Sequence, residues 1–184
     1  VEGPVIGRFQ AGFEKGVADA GKKLGKDIQI TSTYAGTFAD ASKGRALASS
    51  MYQAGADIIY HAAATTGQGI FQEAKALNET GSKDKVWVIG VDRDQNEDGK
   101  YTTKDGKDDN LTLASTIKGV NIAVKKISDL ALEDKFPGGE HLTYGLKDGG
   151  VDLTTEALSD QAKTTVKEAK EQIISGDVKV PDQP

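Results

Sequence analysis

Apolar residues recur along this chain at two alternating periods, one helical and one extended. Phe9, Phe13, Val17, Ala20 and Leu24 follow one another at intervals of four, four, three and four, the stripe of a helix with one buried face. Gly25 and Lys26 stop that helix, and Ile28, Ile30 and the run Thr31 to Tyr34 carry the branched residues of a β-strand. Asp40 is placed to cap a second helix whose inner face holds Leu47, Ala48 and Met51, and Gly55 ends it. Asp57 to His61 predicts the next strand. Gly67 to Thr80 predicts a third helix, burying Ile70, Phe71, Ala74 and Leu77. Val86 to Val91 is a nearly unbroken apolar run between charges, the pattern of a strand covered on both faces.

Helices and strands therefore alternate over the first 91 residues. Alternation of this kind predicts an α/β fold with right-handed crossovers and a doubly wound parallel sheet. The first helix should follow a strand, yet none precedes Phe9, so the chain is expected to begin partway through a longer parent. From Arg93 to Asn110 the apolar pattern lapses, and Asp-Gly at 98–99 and 105–106 predicts a long loop or a short hairpin. Leu111 to Ser115 reads as a weak strand. Ile117, Val120, Val124, Ile127 and Ala131 form another helical stripe, with Ser115 or Thr116 as its cap. His141 to Leu146 reads as a strand and Lys147 to Gly150 as a tight turn. Leu158, Ala162, Val166, Ala169 and Ile173 mark a last helix, closed by Ser175-Gly176.

Composition narrows the chemistry. The 184 residues include no cysteine and two histidines, which excludes disulfides and thiolate metal sites. The formal net charge of −5 comes from 28 acidic and 23 basic residues, with the basic ones scattered among the acidic. Nucleic-acid binding needs a clustered basic face, so no nucleic-acid partner is expected. No apolar run is long enough to span a membrane.

In open parallel sheets ligands bind at the carboxyl ends of the strands, and three segments fall there. The small-residue loop Ala62 to Gly69, with Ala64 and Gly67, lets a ligand approach the backbone at a helix N-terminus; an ordinary βα loop reads the same way. A dinucleotide fingerprint would need glycine at position 72, where Gln72 stands, so an NAD-linked enzyme is disfavoured and no cofactor is expected. Asp92 emerges after the most buried strand as a pure acceptor for ligand hydroxyls, or as a solvated loop carboxylate. Asp94, Asn96 and Asp98, with Gly99, match the opening of a calcium loop, but Asp105 stands too short in the closing position and no helix pair flanks it. Phe9 starts its helix near the strand ends, where an aromatic can stack on a planar ring or simply join the core. Lys147, in its glycine-flanked turn, can donate to a ligand oxygen or lie idle on the surface. His61 and His141 have no carboxylate or serine partner at a telling spacing. No nucleophile elbow, phosphate loop or paired carboxylates appear, and no catalytic residue is assigned.

Four segments carry a resemblance: Pro4 to Gly16, Tyr34 to Asp40, Gly55 to Ile59, and Val88 to Gln95, in that order, with Gly145 to Val151 extending it. Together they resemble the basic membrane protein family, purine nucleoside receptor lipoproteins of ABC transporters, and a Gram-positive, streptococcus-like member in particular. The resemblance implies a lobe of the type I periplasmic-binding-protein kind and a nucleoside held in a cleft, with no enzymatic activity. It implies that Phe9 is the second-lobe aromatic under the base, Asp92 the ribose-binding aspartate, and Lys147 the lysine of the glycine-rich turn. The loop after His61 matches the family's small-residue loop, where the family often has glycines at the places of Ala63 and Ala64.

Family members are longer. They carry a lipid-anchoring cysteine at the mature N-terminus and a first lobe before the segment seen here. On that footing residues 1–113 correspond to the second lobe, 114–140 to the crossover toward the first, and 141–184 to the return strand and C-terminal helix. The implied partners are a nucleoside and a transporter permease at the extracellular face of the cell membrane. A lobe without its other half exposes a sheet edge and is expected to associate with that half or with itself. The same fold also serves sugar-binding proteins and the effector-binding cores of LacI-like transcriptional regulators, and both stand as alternatives.

Overall fold

Proline at the first helical position needs no amide partner, and Pro4 opens α1 (Pro4–Leu24) in that way. Gly25 closes it in the left-handed region at φ 64°, with Lys26 N–H bonded back to Gly21 O at 2.9 Å. This is a computed structural model, and it describes residues 1–81 and 84–184. Asp40 caps α2 (Ala41–Gln53), its carboxylate accepting from Lys43 N–H at 2.9 Å. The strand β1 (Ile58–Tyr60) follows, then α3 (Thr65–Thr80), which starts two residues earlier than its apolar stripe implied. The strand β2 (Trp87–Asp92) is the apolar run read from the sequence, with Val88 fully buried.

The polar stretch after β2 resolves into a 3-10 turn, Glu97–Gly99, and the hairpin β3 (Lys100–Thr102) with β4 (Asp108–Asn110). Next come β5 (Thr112–Lys118), α4 (Val120–Leu132), a second 3-10 turn at Leu146–Asp148, β6 (Val151–Leu153) and α5 (Asp160–Ser175). The main sheet has the order β1-β2-β5-β6; the first three strands run parallel and β6 is antiparallel to β5.

The core lies where α2 and α3 cover this sheet. Ala48 and Tyr52 from α2, Ile70, Phe71 and Ala74 from α3, and Ile59 and Val88 from the strands are all buried together. The two helices approach closely because Gly44 and Gly69 face the partner's backbone. A methyl group on Gly69 would stand inside the van der Waals radius of Ala41 O, and one on Gly44 would overlap Thr66 O.

Three expectations about elements are corrected. Residues 28–34 form no strand among the described residues; Ile28 and Ile30 are exposed, and side chains tether the segment to α1 through Ser32 to Glu14 and Tyr34 to Gln10. An extended segment without a neighbouring strand has no ladder to join. The segment Leu111 to Ser115 belongs to a longer strand: β5 runs on to Lys118, because Thr116 and Ile117 pair with β2 on one side and β6 on the other. Ser115 and Thr116 are therefore strand residues, and Gly119 occupies the cap position of α4. Residues 141–146 form no strand; the chain turns at Leu146–Asp148, and the edge of the sheet is built instead by β6. The boundary read between residues 113 and 114 falls inside β5.

Candidate ligand site at the carboxyl ends of β1, β2 and β5

The carboxyl ends of the parallel strands β1, β2 and β5 converge at one edge of the sheet. β1 ends on Tyr60 and delivers His61 and the loop to α3. β2 ends on Asp92, opposite Ile117 of β5. β5 ends on Lys118, and Gly119 follows it.

Asp92 adopts φ 69°, and the Arg93 N–H bonds to Val91 O across it at 2.9 Å. A two-residue bond around a residue with positive φ is the rarer, strained kind of γ-turn. Strain of this type costs on the order of 1–3 kcal/mol and persists where surrounding structure imposes it. At this turn the Asp92 side chain is exposed. There Lys118 Nζ pairs with its Oδ1 at 2.7 Å, and the same ammonium lies 6.0 Å from the centre of the Phe9 ring. Lys118 thus links Phe9 to Asp92. Beside them Phe13 packs on Tyr60 with ring centres 5.0 Å apart, and the Tyr60 hydroxyl lies 3.4 Å from Thr116 Oγ1. Burial, with the nearby Asp92 charge adding to it, raises the Tyr60 pKa, so its hydroxyl stays protonated.

The loop after His61 carries a second strained residue. Ala64 has φ 47° and ψ −126°, a conformation natural to glycine. Its neighbours' amides are already engaged: Thr66 N–H bonds to Phe38 O and Ala63 O, and Gly67 N–H to Ala64 O. Gly67 therefore contributes shape rather than a donor. It lies flat on the His61 ring, and any Cβ there would overlap the imidazole. His61 is itself buried; desolvation holds its pKa down to about 4, so the ring is neutral at physiological pH.

Lys147 sits in the 3-10 turn Leu146–Asp148 and is exposed. The turn is fastened to the end of β5 by the Gly119 N–H to Gly150 O bond at 2.8 Å. Lys126 braces it from α4, donating to Asp148 O at 3.1 Å and lying 5.2 Å from the Tyr144 ring. Among the described residues the Lys147 ammonium itself makes no hydrogen bond or ion pair.

The sheet therefore brings Phe9, Asp92, Ala64, Gly67 and Lys147 to one edge. Lys118 joins them without having been read from the sequence. Its one available signal was position: it ends the strand next to β2. The calcium-loop residues are engaged separately. Asp94 Oδ1 accepts from Asn96 N–H, Asn96 Oδ1 from Asn110, and Asp98 Oδ2 from Arg93 and Gln95. Among the described residues no group of three or more His, Asp or Glu side chains stands where it can hold a metal ion.

The parallel α/β sheet, with an aromatic ring, a strained carboxylate paired to Lys118 and the unpaired Lys147 at its strand ends, has the architecture of a solute-binding-protein lobe. The chain belongs to the family described as ABC transporter substrate-binding protein PnrA-like, whose profile matches residues 1–184. It is 49% identical over 172 residues to a protein of Lactococcus lactis named ABC transporter nucleoside-binding protein BmpA, covering 93% of this chain and 49% of that one. It is 47% identical to the CD4+ T-cell-stimulating antigen of Listeria monocytogenes, across 100% of this chain and 51% of the relative. Basic membrane protein A of Borreliella burgdorferi is 34% identical over 98% of this chain and 49% of its own length. The chain thus spans about half the length of the curated relatives it matches. Among solved structures, an ABC transporter solute-binding protein from Aeropyrum pernix superposes with a TM-score of 0.81 at 26% identity, over 98% of this chain and 56% of that one. A transcriptional activator of the comK gene from Bacillus halodurans, at 22% identity and a TM-score of 0.62, covers 79% of this chain and 46% of its own, and shares the fold.

Proposed function

We propose that this chain is one lobe of an ABC transporter substrate-binding protein and that it holds a nucleoside, of the purine kind, for uptake. The observation that carries the reading is Asp92: an exposed carboxylate, held in a strained turn at a strand end and linked through Lys118 to the Phe9 ring. A carboxylate accepts two hydroxyl hydrogens at once, which suits the vicinal diol of a ribose. Phe9 offers a face to a flat base, and Lys147 a donor to a remaining ligand oxygen. Ala64 and Gly67 shape the wall on the β1 side. Lys118 neutralises Asp92 in the absence of ligand and is displaced or shared when the diol arrives. Nothing in this arrangement calls for bond breaking.

In this reading residues 1–113 supply the ligand-facing lobe, 114–140 lead toward the other lobe, and 141–184 return with Lys147 and the last helix. The partners are the nucleoside and a membrane permease. The intact protein is a lipoprotein anchored at the extracellular face of the cell membrane. The 49% identity to a nucleoside-binding relative supports the ligand class.

Calorimetric titration of the intact protein with adenosine, guanosine, the free bases and ribose tests this. Nucleosides are expected to bind and ribose alone not. Asp92→Ala should weaken nucleoside binding by about 10- to 100-fold, the effect of losing hydrogen bonds to a charged group. Binding of sugars in preference to nucleosides, or an unaltered Asp92→Ala, would sink the proposal.

A further inference from the structure

Behind Asp92 lies a buried polar cluster. Gln95 is 5% exposed, His61 4% and Ser115 not at all. The Gln95 side chain folds back over its own turn, and its Oε1 accepts the Val91 N–H at 2.8 Å. The same Oε1 lies 3.1 Å from His61 Nε2. An atom that accepts from a backbone amide is the carboxamide oxygen, so His61 Nε2 must carry the proton that it shares. The imidazole is thereby fixed in one tautomer. Its Nδ1 keeps a lone pair, has no partner among the described residues, and belongs to the ring on which Gly67 lies.

The other ends of Gln95 are held as firmly. Its Nε2 donates to Asp98 Oδ2 at 2.9 Å, which Arg93 Nη2 also reaches at 2.7 Å. Its backbone N–H donates to Ser115 Oγ at 3.0 Å, and its carbonyl accepts from Thr112 Oγ1 at 3.1 Å, both on β5. Gly90 makes room, since a methyl group there would press on Gln95 Oε1. The chain is thus clamped on both sides of Asp92: at Val91 by the carboxamide, and at Gln95 by β5. The clamp imposes the strained turn between them. Through His61 it also reaches the loop that carries Ala64 and Gly67.

We infer that Gln95 is a positioning residue for the ligand site, a buried strut that holds the Asp92 turn and the 62–67 loop in register with each other. It touches no ligand itself. The inference deepens the proposed function and rests on Asp92 meeting the ligand.

The test uses the intact protein and the variants Gln95→Met and Asp92→Ala, with adenosine as probe. Affinity is measured by calorimetry well below the melting temperature. A second readout needs no ligand: residues with positive φ give a strong intraresidue amide-to-Hα NOE, which isotope-edited NMR reads at Asp92. Gln95→Met is expected to lose about tenfold or more in adenosine affinity, the usual scale for removing a group that orients a binding residue. The Asp92 NOE should weaken with it. A purely structural glutamine would lower the melting temperature and leave both readouts unchanged. Unaltered affinity in Gln95→Met beside lost affinity in Asp92→Ala overturns the strut while sparing the proposed function. Full affinity in Asp92→Ala overturns the proposed function, and the NOE alone then decides whether Gln95 sets the turn. Should Gln95→Met fail to fold, Gln95→Asn withdraws the carboxamide by one methylene and is judged by the same two readouts.

Discussion

Two of the three non-glycine residues with positive φ among the described residues, Ala64 and Asp92, stand at the carboxyl ends of adjacent strands. At Asp92 the strain positions a carboxylate. At Ala64 the side chain is a methyl group that gains nothing from it. Ala64→Gly should therefore release strain on the order of 1–3 kcal/mol, less about 0.4–1 kcal/mol for the greater freedom of glycine in the unfolded chain. A net gain near 1 kcal/mol corresponds to a rise of about 2–4 °C in melting temperature for a chain of this size. Differential scanning calorimetry checks it, and an unchanged or lowered midpoint counts against the strain. At this scale the sequence was partly legible. Phe9, Asp92 and Lys147 were picked out as candidates because strand ends in parallel sheets collect ligand groups, while position alone left each with a structural alternative and the family resemblance supplied its proposed role. Lys118 and Gln95 were not. Their roles come from pairings across strands, to Asp92 and to His61, that no spacing along the chain encodes.

Among the elements, α2 and α3 pack closely, and their contact depends on glycine at the crossing. Gly69 lies against the Ala41 carbonyl, which belongs to backbone and cannot rotate away. Gly69→Ala should separate the helices and disturb the packing of Phe71 and Ala48 beneath, at a cost of about 3 kcal/mol or more. Urea unfolding of the variant and the unaltered chain side by side measures it; a difference under 1 kcal/mol would mean the crossing is loose. Helices were the readable part of the architecture, since each of α1 to α5 carries an apolar stripe at helical spacing. The parallel strands β1 and β2 were readable as apolar runs. The failures at residues 28–34, at 141–146 and at β6 have one cause. A short strand exists only if a neighbour completes its ladder, and the neighbour is set by topology rather than by local composition. Val151–Leu153 has such a neighbour in β5; residues 28–34 have none among the described residues.

At the scale of the whole molecule, several apolar side chains stand open on the surface. α4 has an apolar stripe but buries no residue, and Val120, Val124 and Leu132 are 57%, 60% and 86% exposed. α5 likewise buries none, and Ile28 and Ile30 lie open along an extended segment. β1 stands at the edge of the sheet. The open stripe of α4 and, at a separate place, the β1 edge left unpaired among the described residues are two features that a partner could cover. Apolar area left open to water forgoes about 25 cal/mol per Å² that burial would contribute, so two copies are expected to gain by covering each other. Residues 1–184 produced alone should therefore exceed their 19.4 kDa monomer mass in light scattering coupled to gel filtration, increasingly so with concentration. Replacing Val120 and Val124 together by aspartate puts charge on the face without touching the core, and should return the chain toward the monomer. A monomer that persists at high micromolar concentration without those substitutions would show that the stripe of α4 is too narrow or too interrupted by Lys125 and Lys126 to drive association.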